Sequence, residues 1–219
     1  MITLEDVIKN EEVQAFVEAS QKQLEALGYT EHSNRHITIV SQRTGAILEK
    51  LGYDERTVEL GKIAGYLHDI GNCVNRVDHA HSGAILAYNI LKEMGMPPQE
   101  RTEIVMAIGN HDESTGTAIS AISAALILAD KSDVHRERVV NTNIATFDIH
   151  DTVNYAVTEA NLEINEKDKK IVLNLIIDTE ICPVLKYFQI FMERTIMSKY
   201  AAKFLNIWFE VIINGTKLL

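Results

Sequence analysis

Four stretches in the first 95 residues share one design: apolar residues recur every three or four positions, and the run stops at a glycine. The stops are Gly28, Gly52, Gly71 and Gly95. A 3.6-residue period gives a helix one apolar face, and a glycine just past its end takes the left-handed conformation that closes it. "TLEDVIKNEEVQAFVEASQKQLEALG" predicts one long amphipathic helix. "RHITIVSQRTGAILEKLG" follows, with His36, Ile39, Val40, Arg43, Ile47 and Leu51 roughly along one face. "DERTVELGKIAGYLHDIG" opens on Asp54, a good N-cap. "DHAHSGAILAYNILKEMG" comes next, and "PPQERTEIVMAIGNH" begins with prolines suited to a first turn. "AISAISAALILADKSDVHRERV" is apolar early and charged late. A row of such segments specifies a helical body.

After Val140 the texture changes. "DTVNYAVTEANLEI" and "KKIVLNLIID" alternate with period 2 around a polar "NEKDKK" turn, which predicts a β-hairpin. A long helix is expected from about Glu180 to Leu205, with Pro183 in its first turn, and "NIWFEVIING" reads as a final strand. The expected architecture is mainly α, with a small C-terminal α+β segment of ββαβ order. The change falls near Thr142 to Asp151, dividing the chain into 1–145 and 146–219.

With 46% hydrophobic and 24% charged residues, the 219-residue chain can build a sizeable core. Its formal charge of −10 argues against a nucleic-acid backbone or an anionic membrane as the main partner. A small polyanion stays open, because a bound metal reverses the local field. "MITLEDVIKN" has no secretory h-region, and the apolar run Ala121 to Ala129 is far short of the ~20 residues of a membrane span. Cys73 and Cys182 stand apart and read as reduced thiols. A cytoplasmic protein is expected.

The helical body carries a row of costly polar residues. "AGYLHDIGN", Ala64 to Asn72, ends an apolar helix with His68 and Asp69 side by side. These two stand about 100° apart around the helix, so they point to two sides of one cavity, and the two oxygens of the aspartate can bridge two ions. His36 lies near the start of its helix on the apolar face. His79 stands four residues before Gly83, where the missing side chain lets a neighbouring backbone approach. His81 points the opposite way, so the two histidines are not both ligands. His111 ends its helix in "AIGNHDESTG", and Asp130 enters a helix that is apolar until then. Singly, each has an ordinary structural reading, as a hydrogen-bonded histidine or an acid paired with Lys131 or Arg136. His32, His135 and His150 read as surface or outer residues. As a set, however, buried polar groups without partners would cost several kcal/mol, and a shared metal centre removes that cost. Imidazole and carboxylate donors suit Fe, Mn, Zn, Co, Ni or Mg.

The ordered motifs "SNRHITIV", "AGYLHDIGN", "DHAHSGA", "IGNHDESTG" and "ILADKSD" resemble the HD-domain superfamily of metal-dependent phosphohydrolases, over roughly Glu31 to Arg138. The spacing looks most like two-metal bacterial members, including those that split diadenosine tetraphosphate. The resemblance implies an HD-type helical bundle and two divalent ions. His36, His68, Asp69 and Asp130 would hold the first ion; His79 and His111 would hold the second, with Asp69 bridging. Lys131 matches the "ADK" of that group and is the expected phosphate contact. Two departures stand out: Asn72 replaces the lysine of the common "HDIGK", and the "GYP" of cyclic-dinucleotide phosphodiesterases is absent after His111.

The expected reaction is hydrolysis of a small phosphate ester or anhydride, with a nucleotide as the expected substrate class, by a metal-bridged hydroxide. Asp69 and Lys131 would carry it, and Lys131, Arg43 and Arg35 would bind phosphate oxygens. His81 and Asp112 are candidates for the leaving-group acid, each with a plain surface reading beside it. A di-iron oxygenase of the HD type and a non-catalytic metal- or nucleotide-binding module remain alternatives. A homodimer through an edge of the final strand is a further expectation.

Overall fold

The computed structural model describes residues 1–28, 34–139, 141 and 143–219. Glu31, His32, Val140 and Thr142, named above, lie outside the described residues. The helical body comprises α1 (Leu4–Lys9), α2 (Glu11–Ala26), α3 (Asn34–Lys50), α4 (Glu55–Leu67), α5 (His79–Glu93), α6 (Pro98–Gly109) and α7 (Ala121–Lys131). The C-terminal part adds α8 (Ile149–Ala156), strands β1 (Val157–Asn165) and β2 (Lys170–Ile177), helix α9 (Val184–Phe204), and strands β3 (Trp208–Ile213) and β4 (Thr216–Lys217). The protein is mainly α with a small C-terminal sheet, as the periodicity indicates.

Several expectations need correction. The first helix is two, because the Asn10 side chain accepts from the backbone N–H groups of Glu12 and Val13 at 3.0 Å and caps α2. Such local bonding competes with helix continuation. The segment from Asp151 is not strand from its start: Asp148 caps α8 through the Asp151 N–H at 2.7 Å, and the strand begins only at Val157. Val153 and Ala156, three apart, are buried on one face of that short helix. Pro183 stands at the N-cap of α9 rather than inside its first turn.

The sheet order is β1-β2-β3-β4. β1 and β2 pair antiparallel with Leu162 opposite Leu173, and β2 and β3 pair parallel with Leu173 opposite Val211, α9 making the crossover. Asn214 and Gly215, both at positive φ, turn the chain back into β4, which is hairpin chemistry. β4 and Leu218 cover the outer edge of β3 from Val211 onward, so much of that strand is not an edge available to a second copy. One buried apolar cluster runs from Val7 to Ile213 and takes in both the helical body and the sheet. Among the described residues, no helix is long and apolar enough to cross a membrane.

Candidate metal centre

Five local pieces of structure bring the polar row to one point. His36 sits in the first turn of α3 on its buried side. α4 ends at Leu67, so His68 is its C-cap, and Asp69 takes φ −101° and ψ 3° to start a tight 3-10 turn over Ile70–Cys73. That turn packs directly on the first turns of α5. A side chain on Gly71 would overlap the His79 carbonyl, and one on Gly83 would stand 3.1 Å from the Gly71 nitrogen. The close approach expected from Gly83 is thus a backbone contact that carries His79 toward Asp69. His111 lies two residues past α6, and Asp130 is the last but one residue of α7.

All six side chains are buried. Asp69 Oδ2 lies 3.3 Å from His68 Nε2 and 3.7 Å from His36 Nε2, while its Oδ1 lies 3.4 Å from His79 Nε2 and 3.8 Å from His111 Nε2. Asp130 Oδ1 completes the first group, 3.4 Å from His36 Nε2 and 3.8 Å from His68 Nε2. Ligand atoms of His36, His68 and Asp130 fall within 4.8 Å of one another, as do those of His68, Asp69 and His111. These clusters have the donors and the spacing to hold divalent metal.

The outer face of each imidazole decides what its inner face can do. His68 Nδ1 lies 2.8 Å from the Gly65 carbonyl, His79 Nδ1 3.0 Å from that of Arg76, and His111 Nδ1 2.6 Å from that of Ile108. His36 Nδ1 lies 2.8 Å from Asp133 Oδ2. Each partner is an acceptor, so in the neutral rings Nδ1 carries the proton and every Nε2 turns a lone pair inward. His79 and His111 therefore face each other Nε2 to Nε2 at 3.2 Å. Two lone pairs at that distance repel unless a cation or proton lies between them. His68 Nε2 is buried and, among the described residues, makes no well-directed hydrogen bond. The residues present fit a metal centre.

Electrostatics point the same way for His79 and His111. Burial, reinforced by His68, His79 and Lys131, pushes the His111 imidazole down to about 3, so it is a neutral donor. Burial also lowers His79. Burial would raise Asp130, but Lys131 and the histidines hold its carboxyl well below the usual range. Burial opposes charge on Lys131, yet Asp130 and Glu113 keep it an ammonium.

The other expected site residues are placed less uniformly. Lys131 is buried, its Nζ 2.7 Å from Asp130 Oδ2 and 2.6 Å from Glu113 Oε2. Arg35 pairs with Asp133 at 3.3 Å and Glu137 at 2.9 Å. Arg43 donates to Ser132 Oγ and to the Ala160 carbonyl, both at 2.8 Å, and so braces α3 against β1. His81 is turned outward beside Asp78, and Asp112 Oδ2 stands 3.6 Å from His79 Nδ1. Asn72, in the place of the common lysine, is buried and donates to Asp69 Oδ1 at 2.9 Å.

Sequence reasoning did not single out four neighbours. Asp133 had a signal, one helical turn past Asp130 within "ADKSD". Glu113 stands two residues after His111. Arg76, in the loop before His79, donates to Asn72 Oδ1 at 3.3 Å and approaches His79 Nε2 at 3.1 Å. Arg194 comes from α9 and meets Glu113 at 2.9 Å; nothing local to its sequence marks it.

A family model, HD domain, matches residues 35–141. The uncharacterised protein MJ1020 of Methanocaldococcus jannaschii is 30% identical over 190 residues, covering 76% of this chain and 72% of that one. A crystal structure of a predicted HD superfamily hydrolase from an uncultured Thermotogales bacterium is 24% identical, with a TM-score of 0.45 over 61% of this chain and 75% of that chain. The buried His-Asp row lies inside the matched span, and the chain belongs to the HD-domain superfamily.

Proposed function

We propose that the protein hydrolyses a small phosphate ester or anhydride, with a nucleotide as the substrate class, using two divalent ions. One observation carries this reading: four buried imidazoles, each held by an acceptor on its outer nitrogen, turn their inner nitrogens toward the two separate oxygens of Asp69. On this reading His36, His68, Asp69 and Asp130 hold one ion, and Asp69, His79 and His111 hold the other. A divalent pair held there supplies Lewis acidity, activating water for attack on phosphorus and neutralising charge on the phosphoryl oxygens.

The chain supplies the rest. Asp133 fixes the His36 ring, and Asn72 fixes Asp69. Lys131 spends two of its three donors on Asp130 and Glu113 and offers the third to a phosphate oxygen. Arg76, half-buried beside His79, is a second phosphate contact in this reading. Arg35 and Arg43 enter as supports, because their guanidinium groups are engaged with Asp133, Glu137, Ser132 and Ala160. Residues 1–145 hold the ligands, and 146–219 contribute Arg194. The free thiols Cys73 and Cys182 suit a cytoplasmic setting, and a homodimer remains part of the proposal.

The test is metal analysis of protein purified without oxygen, together with phosphate release from a panel of nucleotides in the presence of Mn or Fe. About two equivalents of metal and selective phosphate release are expected. Two irons, oxygen consumption and no phosphate release would replace hydrolysis with oxygen chemistry. A chain that binds no metal would sink the proposal.

A further inference from the structure

A cleft lies where the last turns of α9 meet β3. Lys199, Tyr200, Lys203, Asn206, Trp208 and Phe209 line a cleft of about 530 Å³, a size that takes a small organic molecule. None of the metal-cluster residues borders it. Trp208 is 74% exposed and Tyr200 is 62% exposed, while Phe209 is buried. Two large rings standing in water are a costly arrangement for a surface that meets only solvent.

The charge of the cleft is equally out of place. The chain carries a formal charge of −10, yet among the described residues this cleft is lined by two lysines and no acid. Glu210, the nearest acid along β3, is engaged by Lys217 at 2.7 Å and Lys170 at 3.5 Å. Among the described residues, neither Lys199 nor Lys203 forms an ion pair. They are also four apart on one helix, so their like charges face each other unfavourably. Lys203 gains from the carbonyl end of α9, but Lys199 stands a turn too early for that.

We infer that this cleft binds a small aromatic anion, its ring stacked between Trp208 and Tyr200 and its acidic group received by Lys199 and Lys203. Aromatic faces favour stacked or edge-on rings, and an ammonium pair selects for charge opposite to its own. The site is separate from the metal centre and stands whether or not the hydrolase reading holds.

Trp208 is the sole tryptophan, so the folded full-length chain has one indole N–H resonance, which reports the site directly. Naphthalene-2-sulfonate, which carries no phosphate to hydrolyse, is the probe, and the neutral naphthalene-2-methanol is its control. The sulfonate is expected to shift the indole resonance saturably, and the alcohol to bind at least about tenfold more weakly. Lys199→Gln with Lys203→Gln should weaken sulfonate binding by about tenfold, while Lys199→Arg with Lys203→Arg restores it. The rest of the amide spectrum verifies the fold of each variant. Equal binding of alcohol and sulfonate, no saturable shift, or unchanged binding in the glutamine variant would each overturn the inference.

Discussion

Arg194 Nε meets Glu113 Oε1 at 2.9 Å, and the other oxygen of Glu113 receives Lys131 at 2.6 Å. Lys131 is in turn 2.7 Å from Asp130. One line of charges therefore runs from α9 to the buried His-Asp cluster. Asp130 and Glu113 each gain from the ammonium between them, which holds both carboxyls below their ordinary range against the effect of burial. Arg194→Gln should leave Glu113 to draw Lys131 away from the substrate side. Phosphate release is expected to fall about tenfold with metal content unchanged, and Arg194→Lys to recover part of it. Unchanged turnover in the glutamine variant would show that α9 only packs against α7.

Asp133 acts on the centre through His36. Its carboxyl is held low by the His36 hydrogen bond, Arg138 and Arg35, although burial opposes this. Asp133→Asn keeps the shape but no longer enforces the proton on His36 Nδ1. Metal affinity should fall by about 10–100-fold, measured by competition with a chromophoric chelator.

His79 and His81 make a paired control. His79→Ala should remove one equivalent of metal, because its Nε2 faces Asp69 Oδ1 at 3.4 Å. His81, with its side chain 54% exposed, should be replaceable by alanine without change in occupancy. Equal metal content in wild type and His79→Ala would refute the second ion.

Gly71→Ala tests the backbone contact that brings His79 up to Asp69. The added methyl meets the His79 carbonyl and the Gly83 nitrogen, neither of which can yield as a side-chain tip can. Urea unfolding should show a loss of about 1–3 kcal/mol, typical of overpacking.

Stability in chelator should depend on pH with a predictable sign. Glu113 and Asp133 have carboxyls below their unfolded values of about 3.9–4.3. The unfolded chain therefore binds more protons in acid, so their contribution is complete above that range and is lost progressively as pH falls below it through the lower folded values. His68 works in the opposite direction. Burial lowers its pKa, but Asp69 and Asp130 raise it further, so its contribution is complete below the unfolded value of about 6.5 and fades as pH rises through the folded one. Thermal unfolding of the chelated protein should thus give a maximum on the acid side of neutrality. Saturating metal should move that maximum upward, because the ligands must be deprotonated to bind.

The helices of the body were legible because their causes are local. Asp54 caps α4 through the N–H groups of Arg56 and Thr57, and Gly28, Gly52 and Gly95 stand at positive φ where the periodic runs stop. The polar row was legible for a related reason: buried His and Asp residues on apolar helices need partners, and the chain offers them in order. At Asn10 and after Asp148 a single capping side chain outweighs the wider periodic pattern, so the chain departs from it there.

What the sequence alone determined is the inventory: helices that must bury one face, and six polar residues that cannot be buried one at a time. Only the tertiary structure decided which way each side chain faces. Asp69 divides its oxygens between two groups of histidines because the backbone packs tightly at Gly71 and Gly83. Arg43 is drawn to the Ala160 carbonyl of a strand 117 residues away. Arg194 reaches Glu113 across 81 residues, through the docking of α9 on α7. Such pairings depend on distances that exist only after the chain has closed on itself, and no local pattern encodes them.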